Sequence, residues 1–214
     1  MTASWPEVGP PRLVVLAAGA SSRLGQPKAL VALPGGTPLD RILAAWPYQH
    51  SPAWVVTGAH HSEISQSALR DHPQHRIIHN PRWALGRTGS LQVAIGQLPG
   101  QDILMAPVDC PRPPRRVFEA LVERWSAAGS PAMGWCAPFL FEAATGKNCY
   151  GHPILIGRGL LARALQMSPD KPLRWLRKDA QPLLGTQVQD QEILEDLDAP
   201  EDLKELVGRD RQST

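Results

Sequence analysis

Arg23 and Lys28 stand five residues apart in a run of mostly small residues, Leu16-Ala17-Ala18-Gly19-Ala20-Ser21-Ser22-Arg23-Leu24-Gly25-Gln26-Pro27-Lys28. Small side chains let backbone N–H groups turn inward around an anion, and glycine permits the positive φ that such a nest needs. The two cations add charge-assisted bonds to phosphate oxygens. The run fits neither of the two commoner phosphate signatures. A dinucleotide fingerprint needs GxGxxG, and a P-loop needs GxxxxGK followed by Ser or Thr. Here Gly19 and Gly25 stand apart, and Gln26-Pro27 separate Gly25 from Lys28. From residue chemistry alone, phosphate binding and a tight turn with two surface cations are evenly matched.

Carboxylates supply the complementary chemistry. Asp109 ends the apolar run 102–109, at the carboxyl edge where open parallel sheets bind ligands, and there it would hold a cation. An Asp two residues before Pro111 also shapes an ordinary turn. Asp198-Ala199-Pro200-Glu201 reads as a capping box at a helix start, with Asp196 pointing the same way along an extended segment. Gly86-Arg87-Thr88-Gly89-Ser90 opens a helix whose free N–H groups face an anion or a base edge, or are capped by Ser and Thr. Thr57-Gly58 ends the second strand on the same sheet edge, as a base-contacting loop would. The His60-His61 pair lacks Cys or Glu at ligand spacing, so both are read as surface histidines. Arg112, Arg115 and Arg116 read as a solvated face, with guidance of an anionic acceptor or partner as the rival.

These groups need a scaffold. Short β-branched runs at 12–18, 53–58, 76–80 and 102–109 predict buried strands. Helical spacing at 90–98 and 115–129 predicts helices between and after them, the latter stopping at Gly129. That alternation implies a mostly parallel sheet covered on both faces. Further strands are expected at 132–139, 153–157 and 182–189, with a polar loop from 142 to 152. Helices are expected at 159–167, near 172–180 and through the last block, Asp196–Gly208.

A length of 214 residues suits one domain, with residues 1–11 expected to be disordered and 138–190 read as an insertion on the acceptor side. Apolar residues at 43% and charged residues at 20% exclude a disordered or fibrous chain. A net charge of +2 is too balanced for a protein that coats nucleic acid. No apolar run reaches membrane-spanning length, and the N-terminus has no secretory signal pattern. Three cysteines with no CxxC pair argue against a disulfide framework or structural zinc, so the cytoplasm is the expected compartment.

The run LAAGASSRLGQPK resembles the signature LAAGxSxRMGxxK of nucleotidyltransferases. Four further blocks follow in the order of the molybdenum-cofactor branch of that family. They are Asn80-Pro81-x-Trp83-x-x-Gly86 leading to Ser90-Leu91, Pro107-Val108-Asp109-Cys110-Pro111, Gly151-His152-Pro153, and Asp196 through Leu203. The resemblance covers residues 12 to 207 and implies a Rossmann-like, three-layer α/β fold with helices on both faces of a mostly parallel sheet. It implies Mg2+-dependent transfer of a nucleoside monophosphate to a phosphorylated acceptor, with release of pyrophosphate. Arg23, Lys28 and Asp109 would be catalytic. Leu16, Ala17, Ala18, Gly19, Arg23, Lys28, Thr57, Gly58, Gly86 and Ser90 would bind the nucleotide. Asp109 and Asp198 would hold the metal, and His152 would reach the acceptor. Asp-Cys-Pro stands where the family usually has Asp-Met-Pro or Asp-Gln-Pro, which leaves the carboxylate in place. Ala18 and Pro27 resemble the cytidylyltransferases, where guanylyltransferases usually show Gly and Asp, so CTP and molybdopterin are the expected substrates. GTP-dependent transfer, a sugar 1-phosphate acceptor, and a non-catalytic binding partner of a molybdoenzyme are the rivals. Small-molecule substrates are the expected partners, with a molybdoenzyme or its maturation chaperone beside them and neither nucleic acid nor membrane.

Overall fold

The computed structural model describes residues 9–212. Eight strands form one sheet: β1 (Arg12–Ala17), β2 (Trp54–Thr57), β3 (Arg76–His79), β4 (Ile103–Pro107), β5 (Trp135–Glu142), β6 (Lys147–Tyr150), β7 (Ile154–Ile156) and β8 (Leu183–Gln187). The order is β3-β2-β1-β4-β7-β5-β6, with β8 on the other edge of β5. The half made of β3, β2, β1 and β4 is parallel throughout. In the other half β7 runs antiparallel to β4 and β5, β6 runs antiparallel to β5, and β8 is parallel to β5. This is the expected α/β architecture, with its antiparallel additions gathered beyond β4.

The six α-helices are α1 (Pro38–Ala45), α2 (His61–Asp71), α3 (Arg87–Gln97), α4 (Arg115–Ala127), α5 (Arg158–Ala164) and α6 (Pro200–Gln212). Because side chains alternate along a strand, β1 feeds two cores. Leu13, Val15 and Ala17 pack with α1, α2 and α4 on one face. Val14 and Leu16 pack with α3 and α5 on the other. A third cluster joins Leu24 of the glycine-rich run to Val31, Leu33, Leu197 and Leu206, so α6 is buttressed against the loop.

The structure corrects the expected elements in four places. Residues 147–150 are a strand inside the expected polar loop; largely exposed and paired only with β5, they carry no apolar period. Helix α1 was not expected, although Thr37 and Asp40 form a full capping box with Pro38 at the first helical position. Helix α2 was not expected either, since its buried contacts reduce to Ile64 and Ala68 among residues whose burial is described. The segment near 172–180 is a short 3-10 helix, Leu173–Lys178. Of the expected disordered stretch, residues 1–8 lie outside the described residues. Among the described residues, no helix is long and apolar enough to cross a membrane.

Candidate active site

The carboxyl ends of β1 and β4 open onto a cleft of about 380 Å3. Leu16, Ala17, Ala18 and Gly19 form its β1 wall, and Lys28 borders it where the loop returns. The loop holds its shape internally. Leu24 and Gly25 donate backbone bonds to the Ser21 carbonyl, and the Lys28 N–H donates to Ser21 Oγ. Gly25 sits at φ +76°, which favours glycine. Across the cleft stand Gly86, Arg87 and Ser90 at the start of α3, and Asp109 after β4.

Charges meet in two sets. The Lys28 ammonium and the Arg23 guanidinium both donate to the Asp198 carboxylate, whose two oxygens take one cation each. The bond from Lys28 is the main reason Asp198 is held below the usual carboxylate range. Arg87 donates to Asp109 Oδ2 at 2.7 Å. A backbone bond of 2.8 Å from Leu197 N–H to the Asp109 carbonyl fastens the Asp196–Asp198 segment beside Asp109. Asp196 is raised above its ordinary value by desolvation and then by the negative charges of Asp109 and Asp198. Asp196 thus feels the charge of two further carboxylates, and a cation near it would relieve that repulsion. Among the described residues no group of three His, Cys, Asp or Glu side chains converges as a preformed metal cage. One or two carboxylates completed by phosphate oxygens and water is the usual way Mg2+ is held, and Asp109 and Asp198 fit that pattern.

Several expectations need correcting. Thr57 is fully buried, and its hydroxyl bonds to the Ile78 carbonyl and to His61 Nδ1, so it does not line the cleft. Gly58 does not line it either. A Cβ there would lie 2.3 Å from the Ala18 carbonyl oxygen and 2.5 Å from Trp83 Cβ. The absence of a side chain at 58 is what lets Trp83 approach the phosphate-loop backbone. Asp198 does not cap the last helix. Asp202 instead accepts from the Asp198 and Ala199 N–H groups, which leaves both Asp198 oxygens to Lys28 and Arg23. At the start of α3, the Gly89 N–H is taken by the Pro169 carbonyl, so that helix end is not wholly free for an anion.

His60 is not a plain surface residue. It lines the cleft and is bonded to the Ala20 carbonyl at 2.9 Å, which ties the phosphate loop to α2. His61 stacks on His79 at 4.1 Å between ring centroids. Arg112 makes a buried two-point pair with Glu195, Arg116 pairs with Asp190, and Arg115 with Glu119. Arg115 and Arg116 are exposed, as the solvated-face reading expects, each with a carboxylate partner, whereas Arg112 is drawn inward by Glu195. Cys110 is buried, its Sγ donates to the Glu192 carbonyl, and burial pushes its pKa far up, so it has no thiolate character.

His152 stands outside the cleft, beside Arg87. It lines a smaller cavity that also holds Asp109 and Asp196. Burial, followed by the nearby Arg87 charge, lowers its pKa to about 4, so the ring is neutral near pH 7. Arg87 and Trp83 also line the cleft; both stand in motif blocks quoted from the sequence, which gave neither an individual role. Arg87 lay inside the helix-opening block but was assigned no charge partner, because Asp109 is far from it in sequence.

A family model for the MobA-like NTP transferase domain matches residues 13–184. The chain belongs to this family. The match covers the phosphate loop, Asp109 and His152, and ends before Asp198. A curated relative, the molybdenum cofactor cytidylyltransferase of Escherichia coli (strain K12), is 26% identical over 194 residues, covering 88% of this chain and 91% of that protein. A nucleotidyl transferase from a Methanothermobacter species shares the fold at TM-score 0.73 and 21% identity, over 95% of this chain and 98% of the other. A Mycobacterium tuberculosis H37Rv protein solved in complex with manganese has TM-score 0.71 at 20% identity, over 94% and 99% of the two chains. Family and fold together make this chain a nucleotidyltransferase by kinship.

Proposed function

We propose that the chain transfers the CMP unit of CTP to the phosphate of molybdopterin and releases pyrophosphate. The observation that carries the reading is that Lys28 of the signature loop, which shares the Asp198 carboxylate with Arg23, and Asp109 after β4 line one cleft at the carboxyl edge of β1 and β4. The name of the curated relative and the Ala18 and Pro27 letters support CTP as the donor.

The reaction is an in-line displacement. An acceptor phosphate oxygen attacks the α-phosphorus, the new P–O bond forms, and the bond to the β-phosphate oxygen breaks. Two anions must meet, so the work is charge neutralisation and positioning. Lys28 and Arg23 exchange the Asp198 carboxylate for triphosphate oxygens and neutralise charge on the departing pyrophosphate. Asp109 and Asp198 would hold a Mg2+ ion, which when bound supplies further neutralisation between phosphate oxygens. Arg87, on the shared wall of the cleft and the His152 cavity, orients the incoming acceptor phosphate. Neutral His152 offers a hydrogen bond there without adding charge. The region after β4 that carries β5 to β8 forms the acceptor side, and a cytoplasmic setting belongs to the same reading.

Purified protein given Mg2+, CTP and molybdopterin should release pyrophosphate, and Asp109→Asn should cut that rate at least about 100-fold while remaining folded. Turnover with GTP and none with CTP would overturn the base assignment. Full activity in Asp109→Asn would overturn the role of Asp109.

A further inference from the structure

Beside the nucleotide cleft lies another cavity of about 280 Å3, and Arg87 is the one residue lining both. Its floor is apolar, built from Met105 of β4, Trp135 and Ala137 of β5, Ile154 of β7 and Leu173. Its rim carries Arg174 and Arg177, and neither Asp nor Glu lines it. These two arginines project from the exposed 3-10 helix 173–178 and line neither cavity that contains Asp109. Among the described residues neither has a carboxylate within ion-pair distance, whereas Arg112, Arg115, Arg116 and Arg158 each have one. The Arg177 guanidinium instead lies 5.4 Å from the centroid of the Tyr150 ring, which holds it beside the cavity. His152 lines the same cavity, and its buried Nδ1 has no hydrogen-bond partner.

Many exposed arginines here pair with a carboxylate of their own chain, while among the described residues Arg76, Arg82 and Arg124 also do not. What sets Arg174 and Arg177 apart is that both rim one cavity that shares Arg87 with the cleft. Two that find none, above an apolar floor and away from the reacting carboxylates, make a site of uniform positive potential. The transferred phosphate does not explain them, because it must sit at the Arg87 and Asp109 end. A neutral sugar body would leave both guanidiniums unused and would suit the apolar floor poorly.

We infer that Arg174 and Arg177 are specificity residues for an acceptor with a flat ring system and a second anionic group, separate from its attacking phosphate. The ring lies on the Trp135 and Leu173 floor, the attacking phosphate meets Arg87, and the second anion meets Arg174 and Arg177. This rests on the nucleotidyltransferase reading and narrows the class of acceptor.

The test is calorimetric titration at fixed ionic strength, without nucleotide, using 1-naphthyl phosphate and 1,5-naphthylene bisphosphate as probes. The bisphosphate should bind at least tenfold more tightly than the monophosphate. The Arg174→Gln/Arg177→Gln variant should bind the two alike, and each single variant should lose part of the preference. Both sites are exposed, so the thermal midpoint of each variant should stay within a few degrees of the wild type. Equal binding of the two probes by the wild type, or an undiminished preference in the double variant, would overturn the inference. Failure of the nucleotidyltransferase reading would appear elsewhere, as absence of CTP binding in the presence of Mg2+.

Discussion

Lys28 owes its place to two neighbours of different kinds: its N–H is held by Ser21 Oγ and its ammonium by Asp198. With only 14% of its side chain exposed, it is far more committed than Arg23 at 71%, and on the proposed reading it would be the stronger anchor for phosphate oxygens. His152 makes the residue-scale prediction on pH. Its folded pKa, about 4, lies below the ordinary value of 6.5. Between these values the unfolded chain binds a proton that the native state refuses. The His152 contribution to stability therefore falls as pH drops from about 6.5 towards 4 and is level above and below that window. In the metal-free protein this loss should reach up to roughly 3 kcal/mol. Denaturant titrations across the window should show the slope in the wild type and a flatter one in His152→Asn. Equal slopes would show that His152 is solvated in the native state.

At the scale of elements, the site depends on how closely β1, β2 and the Trp83 turn approach one another. Gly58→Ala would drive its methyl into the Ala18 carbonyl and Trp83, a clash with backbone that cannot be relieved by a rotamer change. We predict a loss of roughly 1–3 kcal/mol of stability, measured by denaturant unfolding, with a larger loss in CTP affinity than distant variants of equal stability show. Unchanged affinity would separate Gly58 from the geometry of the loop. The parallel half was legible in the sequence because each of its strands is a short apolar run ended by a turn signal, as in Arg12–Ala17 before Gly19. The glycine-rich loop and the meeting of Lys28 with Asp109 at one sheet edge were legible through their motifs. Strand β6 was not, since exposed residues with a single neighbouring strand leave no period to read. The Arg87–Asp109 contact was equally hidden, because pairing across 22 residues is created by strand order and not by local spacing. Thr57 shows the converse: it ends a strand at the active edge, yet its side chain faces inward to Ile78 and His61.

Across the whole molecule, Asp102 links the two faces of the sheet. It is buried, accepts from Trp125 Nε1 on α4 at 3.0 Å, and accepts from the Arg158 N–H and guanidinium at the start of α5. Asp102→Ala would leave three donors without their acceptor and should cost roughly 3–5 kcal/mol in denaturant unfolding. A cost below about 1 kcal/mol would mean that water replaces the carboxylate. The same wide sheet carries the nucleotide cleft on its parallel half and the arginine-rimmed cavity at the junction with the antiparallel half, with Arg87 between them. Thermal unfolding with Mg2+ and CTP reads nucleotide binding at the cleft without need of an acceptor. CTP at about a hundred times its dissociation constant should stabilise the wild type by roughly 2.7 kcal/mol, a rise of about 5–10 °C for a chain of this size. Lys28→Ala should lose most of that rise at the same CTP concentration. A wild type that no nucleotide stabilises, or a Lys28→Ala variant that rises as far as the wild type, would contradict the account.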